Sequence, residues 1–580
     1  MNNPSEVWST LVIDQFVKSE VTHFFCCPGM RNAPLLKAIS KNKLAHAHPG
    51  IDERAQSFRA LAFMKAHKVP VALVCTSGTA LANFLPAIIE AQKTHLPLMV
   101  ISADRPGELN ATDANQTINQ IEVLRDYTKE FWCASEPQSS FAPEALAAKI
   151  CFLISQSLTK PRGPFHLNLP LREPLDHQTA PLEEAWLSSA KAILEQELPQ
   201  LRIPKTSSVI EDSVITELFA KLERASRPLI VFGPLGAYDS YKDHQKVVKE
   251  FIENYRGSFS FDVTTGLKFE FGSTEGLVPS LDHPEVLAQL EDKEPDLIIH
   301  FGHRLTSKHY YGLLARLKAK KRPIVHIAMG AFHEDPGFSF NERWPLNPID
   351  ALKAFNKKFN KSTNFSPLVN WQTLIQRKRD LIEEGPLSYP YLTKKAVDLL
   401  KGPYQVFIGN STFIRSFDSY ACHESPKAQW HVLTNRGASG IEGHVAMAHG
   451  MGLQKKAPYL AFIGDVSFLH DQASLQYFKG DEQALVVIAN NQTGGIFNLL
   501  PIGSDPEAKD YLPLMTTDHN HDLTKIISAY NIPVKEISTK EQYCEELKKW
   551  IAAPSLLFLN TRFSDADNIK IYKELKTLKL

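Results

Sequence analysis

Short apolar, β-branched runs alternate with amphipathic stretches along the whole chain. That is the pattern of parallel sheets covered by helices on both faces, whose strands read as continuous hydrophobic runs. In the first third, "VALVC" (71–75), "PLMVISAD" (97–104) and "FHLNLP" (165–170) read as strands, and "ALANFLPAIIEAQ" (80–92) reads as one helix. Between 172 and 207 the character changes: "REPLDHQTAPLEEAW" and "LPQLRIPKTSS" are polar and Pro-rich, as expected of a linker wrapping a surface. Strands resume with "PLIVFG" (228–233), "DLIIHFG" (296–302) and "PIVHIA" (323–328), and "NKKFNKSTNFSPLVN" (356–370) marks a second boundary. The last third offers "YQVFIGNS" (404–411), "HVLTN" (431–435), "YLAFIGD" (459–465), "LVVIANN" (485–491) and "SLLFLNT" (555–561). The pattern predicts an α/β chain of three doubly wound domains with mostly parallel sheets, at 1–180, 205–355 and 375–580.

Composition narrows the classes. A chain of 580 residues is too long for a single core. Lys+Arg and Asp+Glu both total 64, so the net charge is zero and nothing favours nucleic acid or an anionic membrane surface as partner. Local clusters remain free to bind small anions. The cysteines (Cys26, Cys27, Cys75, Cys133, Cys151, Cys422 and Cys544) form no CxxC, and their spacing fits neither a zinc site nor a disulfide framework. Scattered thiols of this kind point to a reducing cytosol. The start, "MNNPSEVWST", lacks the pattern of a signal peptide. No apolar run approaches the ~20 residues of a membrane helix. The expectation is a cytoplasmic protein without membrane insertion.

The candidate chemistry begins at "PYLAFIGDVSFLHD" (458–471), where a buried-looking strand runs straight into Gly464 and Asp465. The next strand ends in Asn490 and Asn491. In doubly wound sheets, ligands sit beyond the carboxyl ends of the strands. A carboxylate and an amide oxygen suit a hard cation such as Mg²⁺, which takes its remaining oxygens from phosphate and water. Gly464 permits close approach of a phosphate, and Thr493 in "NNQTGGIF" (490–497) offers a carbonyl as third ligand. An Asp after a strand is, by itself, a helix cap. Paired with an Asn 26 positions on, it matches the GD…NN signature of thiamine diphosphate binding.

A second constellation, "AHPGIDERAQSF" (47–58) followed by "TSGTALAN" (76–83), completes that reading. The coenzyme's own aminopyrimidine takes the C2 proton, and a carboxyl group hydrogen-bonded to the pyrimidine ring nitrogen favours the tautomer that does so. Such a carboxyl should be buried, with a raised pKa. Glu53 is the candidate; the alternative is a charged helix start in which Glu53 pairs with Arg54. The two constellations lie more than 400 residues apart. In thiamine enzymes of this architecture they meet across a subunit interface, which implies at least a dimer.

On these residues the chain resembles the menaquinone-pathway family of 2-succinyl-5-enolpyruvyl-6-hydroxy-3-cyclohexene-1-carboxylate synthases (MenD). The motifs that carry the likeness are "CPGMRNAPL" (27–35), "DERAQSF", "VALVCTSGTALANFLPAIIEA" (71–91), "ISADRPGEL" (101–109), "ANQTINQ" (114–120), "NRGASGIEG" (435–443), "IGDVSFLHD" and "NNQTGGIF". The middle domain matches only loosely. The resemblance implies the thiamine diphosphate-enzyme architecture and a transferase requiring thiamine diphosphate with Mg²⁺ or Mn²⁺. It implies that 2-oxoglutarate is decarboxylated and its succinyl unit added to isochorismate, in a homodimer or homotetramer with sites at the subunit interface. Substrates this rich in carboxylates call for fixed guanidinium groups.

Carried over residue by residue, Arg415 and Arg436 resemble the pair that grips the succinyl carboxylate. Arg31, Arg105, Asn115 and Gln116 resemble the isochorismate side, and Lys308 resembles a middle-domain lysine facing the same pocket. Ile441 resembles the apolar prop beneath the coenzyme; Ile496 and Leu500 resemble pocket wall. Ser411, Ser439, Gly464, Val466 and Ser467 join Glu53, Asp465 and Asn491 as cofactor-binding residues, and Asp465, Asn491 and Thr493 form the implied metal set. The chain departs from the family at Met30, where Ser is usual, at Asn119, where Asp is usual, and at His444, where a small polar residue is usual. Met30 is the feature that favours a second reading, a related carboligase or decarboxylase with another acceptor or 2-oxo acid. A non-catalytic cofactor-binding homologue is the third. A nicotinamide dehydrogenase is set aside, because no GxGxxG opens a helix after a strand.

Overall fold

The computed structural model describes residues 1–204, 210–271, 274–330, 334–359, 365–421, 428–454 and 457–580. Parts of both predicted linkers, and Cys422, lie outside the described residues. The other six cysteines are free thiols. The chain forms two compact units: residues 1–208 with Gly437–Ser439, and residues 209–436 with 440–580.

The first unit is built on a six-stranded sheet of β1 (His23–Cys26), β2 (His46–Pro49), β3 (Val71–Cys75), β4 (Leu98–Asp104), β5 (Glu130–Cys133) and β6 (Phe165–Pro170), in the order β2-β1-β3-β4-β6-β5. The second unit holds two sheets. One contains β7 (Pro228–Phe232), β8 (Ser258–Phe261), β9 (Leu297–Phe301), β10 (Ile324–Ile327) and β11 (Glu342–Trp344), ordered β11-β10-β9-β7-β8. The other contains β12 (Gln405–Ile408), β13 (His431–Leu433), β14 (Tyr459–Gly464), β15 (Ala484–Asn490), β16 (Val534–Ile537) and β17 (Leu557–Arg562), ordered β13-β12-β14-β15-β17-β16. Every strand pairing in the three sheets is parallel. The expected three-sheet α/β architecture is therefore what the chain adopts.

The unbroken apolar runs follow from this layering. Successive side chains of a strand point to opposite faces. On β7, Ile230 and Phe232 enter a core with Val248, Phe251 and Phe355, while Leu229 and Val231 enter a separate one with Leu290, Leu313 and Leu314. Both faces are covered, so no position is left for a polar residue.

Two local readings need correction. The stretch read as a linker at 172–207 carries the helix Glu184–Glu195, whose Trp186, Ala190 and Ile193 are buried in the first core. Trp186 stacks on Trp8 with ring centroids 5.4 Å apart. Steps of four and three residues set these three on one helical face, and the flanking prolines masked that spacing. The helix expected at 80–92 is two, Thr79–Asn83 and Leu85–Lys93, joined at Phe84. Pro86 has no N–H to give the carbonyl four residues back, and its ring crowds that turn.

Candidate functional site

In the third sheet, β14 and β15 are neighbours with Gly464 opposite Ala489. Their carboxyl ends therefore bring Asp465 and Asn491 to the same edge. Asp465 opens the short helix Asp465–His470 and is 2% exposed. Its Oδ1 accepts the N–H of Val466 at 2.8 Å and its Oδ2 that of Gln492 at 2.7 Å. His519 Nε2 lies 3.4 Å from Oδ2. Burial raises the Asp465 pKa, against the pull of His519 and the two N–H groups. Asn491 donates its Nδ2 to Asp565 at 2.7 Å, which fixes the amide and leaves its Oδ1 buried without a donor. An unsatisfied buried acceptor is costly, and beside a buried carboxylate it fits a hard divalent cation. Thr493 is also buried, its hydroxyl donating to Asp518 at 2.6 Å. A cavity of about 500 Å³ opens here, lined among others by Asn491, Thr493, Asp518, His519 and Asp565.

The loops beside this edge are shaped for a ligand as well. Ser411 sits at φ 66° and Ser439 at φ 65°, left-handed values rare for residues with a side chain. Asn410 donates its Nδ2 to the carbonyls of Asn435 and Gly440, and its Oδ1 is buried without a donor. Arg415, on the helix Thr412–Tyr420, donates to the Ser411 carbonyl at 2.6 Å, and burial lowers its pKa. Ser467 is buried, and Gly464 and Val466 are half-buried beside it. Ile441 is an exposed apolar side chain at 38%. Ile496 and Leu500 are half-buried at the two ends of one short helical turn. His444 is wholly buried against Phe407, and burial lowers its pKa to about 4, so its ring is neutral at neutral pH. It packs in the core. Lys308 is exposed at the start of the helix His309–Ala319.

The first unit has a different kind of edge. Glu53 begins the helix Glu53–His67, but the cap is Asp52, whose Oδ1 accepts the Ala55 N–H at 3.1 Å. Arg54 reaches Asp52 at 4.0 Å. Glu53 is half-buried, and burial raises its pKa, helped by the charge of Asp52. Gly29 packs so closely on Thr76 that a Cβ would come within 2.5 Å of it. Gly78, at φ 88°, donates its N–H to Gln120 Oε1 at 2.7 Å. Gln120 in turn donates to Asn168 Oδ1 at 2.8 Å, and Asn168 donates to Asp104 Oδ2 at 2.7 Å. Arg105 donates to the Asn115 carbonyl at 2.8 Å, and Gln116 at φ 56° lies over Gly78. Arg31 is 4% exposed and donates to the Leu171 carbonyl at 2.7 Å. Burial lowers its pKa, and the nearby Arg105 adds to that. Asn115 and Gln116 are exposed, as is Met30 at 61%.

Comparison with known proteins bears on both edges. Residues 8–123 match the family model "Thiamine pyrophosphate enzyme, N-terminal TPP binding domain", and residues 414–561 match the corresponding C-terminal TPP binding domain. A 2-succinyl-5-enolpyruvyl-6-hydroxy-3-cyclohexene-1-carboxylate synthase of Syntrophus aciditrophicus is 31% identical, over 100% of this chain and 99% of its own length. The chain belongs to that synthase family. Synthases of the same name from Chlorobium phaeovibrioides (28% identical, over 99% of this chain and 98% of the relative) and Chlorobaculum parvum (29%, over 98% and 96%) are also similar across nearly their whole length.

Within this thiamine diphosphate-dependent synthase family, the residues singled out in the sequence fall into two groups. Arg31, Glu53, Arg105, Asn115 and Gln116 sit in the first unit, as does Ser439; the rest sit in the second. Sequence reasoning missed the supports: Gln120, Asn168 and Asp104 behind the loops that carry Gly78 and Arg105, and Asp518, His519 and Asp565 around Asn491. Gln120 lies inside the quoted "ANQTINQ", so its motif was a usable signal. Asp104 likewise lies inside the quoted "ISADRPGEL", and the other four come from segments whose spacing carries none.

Proposed function

We propose that the chain catalyses the thiamine diphosphate- and Mg²⁺-dependent decarboxylation of 2-oxoglutarate and the addition of the remaining succinyl unit to isochorismate, as the names of its relatives indicate. The C1–C2 bond of 2-oxoglutarate breaks, CO₂ leaves, and the electron pair left at C2 forms the new C–C bond. Bound coenzyme supplies the electron sink for that pair. Asp465 and Asn491 hold the cation, Mg²⁺ with Mn²⁺ as the substitute, and Thr493 completes the set. Glu53 keeps a proton at the pyrimidine ring nitrogen, a task suited to a carboxyl whose pKa burial raises. Arg415 and Arg436 bind the carboxylate that the donor retains. Arg31 and Arg105, with Asn115 and Gln116, take the acceptor. Lys308, Ile441, Ile496 and Leu500 shape the pocket.

The observation that carries this reading is the donor-less, buried Asn491 Oδ1 beside Asp465 at the carboxyl ends of adjacent strands. Its natural partner is a metal ion. Because Glu53 and Asp465 serve opposite ends of one coenzyme, the working form is a homodimer or a higher assembly with sites between protomers. No described helix is long and apolar enough to cross a membrane, in keeping with a cytoplasmic enzyme. Mass spectrometry of the product from 2-oxoglutarate and isochorismate, with and without coenzyme, tests the assignment. CO₂ release without the adduct would remove isochorismate as acceptor.

The exposed Met30 beside Arg31 favours a second reading, a carboligase of the same fold with another acceptor. Comparing pyruvate with 2-oxoglutarate separates the donors, since only the diacid gains from Arg415 and Arg436.

A further inference from the structure

Glu90 lies on the helix Leu85–Lys93, inside the quoted "VALVCTSGTALANFLPAIIEA" but with no role assigned to it above, and is 2% exposed. Its Oε1 is 3.3 Å from Nζ of Lys65, itself 3% exposed, on the helix Glu53–His67. A buried ion pair alone recovers its desolvation cost poorly unless the remaining lone pairs are also satisfied. Here they are met by backbone 347 and 348 positions away: the N–H of Gly437 donates to Oε1 at 3.1 Å, and that of Ala438 to Oε2 at 2.7 Å. Hydrogen bonds to an ionised acceptor are the stronger kind. The fit is close enough to demand glycine, since a Cβ on Gly437 would come within 2.8 Å of Lys93 Cβ and 2.9 Å of Glu90 Oε2. In the chain, this segment is flanked by Arg436 on one side and Ile441 on the other, and it ends at Ser439 with φ 65°.

We propose that Glu90 is a positioning residue for the donor substrate: its carboxylate, held by Lys65, fixes the backbone of Gly437 and Ala438, and thereby the course of the loop that presents Arg436 and Ile441. The inference rests on the assignment of Arg436 to the donor carboxylate. A purely structural pair would also be buried and also stabilise the fold. It would have no reason to spend both oxygens on two successive N–H groups of that loop.

Two variants separate these roles. Glu90→Gln keeps the shape but has one acceptor oxygen, and it removes the carboxylate charge that faces the Lys65 ammonium. Glu90→Gln combined with Lys65→Met also removes the buried ammonium and still leaves one loop N–H without an acceptor. Both should raise KM for 2-oxoglutarate about tenfold, the order expected of one buried N–H left unpaired. KM for isochorismate should stay within about twofold, because no part of that network is touched. The double variant should recover most of the thermal stability lost in the single one. A KM defect that disappears together with the stability defect, or no KM defect in either variant, would overturn the proposal.

Hydrogen exchange gives a readout independent of catalysis. The amides of Gly437 and Ala438 should be protected in the wild-type enzyme and lose protection in both variants. Free exchange in the wild-type chain would also overturn the proposal, even if neither variant folds. Arg436→Ala is the control for the underlying assignment. If it leaves KM for 2-oxoglutarate unchanged while the amides behave as expected, the fault lies with the role of Arg436 and not with the tether.

Discussion

The edge of the first sheet and the edge of the third meet their hydrogen-bonding needs differently. Around Gly78, the chain Gly78–Gln120–Asn168–Asp104 satisfies itself, and Arg31 and Arg105 already rest on backbone carbonyls. Around Asp465, the buried Oδ1 atoms of Asn410 and Asn491 have no donor, and Ser411 holds a left-handed backbone. The first edge has a continuous side-chain network at its base, although Thr76 Oγ1, Ser77 Oγ and the Nε atoms of Arg31 and Arg105 are buried without a partner. The third stores unsatisfied polarity that a cation and a charged ligand would relieve. A buried acceptor without a donor is tolerated in a native fold mainly where something else completes it.

Substitutions should expose that contrast. The largest effect is expected from Glu53→Gln, which should lower kcat by about a hundredfold or more, the usual scale for a positioned proton-transferring group. Thermal stability should not fall, because burial already disfavours the charge. Near-normal turnover would remove Glu53 from its role. Asp465→Ala should weaken Mg²⁺ binding by at least about tenfold in titration calorimetry. Wild-type protein should gain about 2.7 kcal/mol from cofactor at a hundred times its Kd, a gain the variant should largely lose at the same concentration. Unchanged affinity would contradict the ligand assignment.

Gln120→Ala should behave differently, because it breaks a network that is complete without ligand. It strands the Gly78 N–H, while Asn168 keeps the Ser102 hydroxyl and Asp104 as partners, and it should cost about 1–3 kcal/mol in urea unfolding whether or not cofactor is present. A loss seen only in the cofactor-loaded protein would erase the distinction between the two edges.

The remaining contrast concerns pH. Burial lowers the pKa of His23 to about 4, and of His48 and His166 to about 3, all in the first unit. Unfolded histidine titrates near 6.5. Between these values the unfolded chain binds more protons, so stability rises with pH. It should be full above about pH 6.5, decline as the pH falls below that, and level off below about pH 3. Urea midpoints at pH 7.5 and 5 should differ accordingly, and the replacements His166→Asn and His48→Asn should flatten the difference.

How far the sequence spoke depended on burial. Strands covered on both faces, such as β4, β14 and β15, announce themselves as apolar runs. The strands passed over were β1, β2, β5, β8, β11 and β16, and all but β1 are sheet edges. Edge strands carry polar residues, as in "HAHP" of β2 and "SFSF" of β8, and so lack the unbroken apolar run that marks a strand covered on both faces. The helix Glu184–Glu195 went unread because prolines on both sides imitate a linker.

The sequence by itself determined the parallel α/β layering and the glycines and acids of the two signatures, Gly464 with Asp465 and Glu53 with its "TSGTA" turn. Such signals are local: they depend on neighbours a few residues away and on the chemistry of single side chains. Only the tertiary structure decided that Asp565 holds Asn491, that Gln120 closes on Gly78, and that Glu90 grips the backbone of Gly437. Those bonds join segments tens to hundreds of residues apart, and a hydrogen bond's partner is chosen by distance and direction in space, which the order of residues along a chain does not encode.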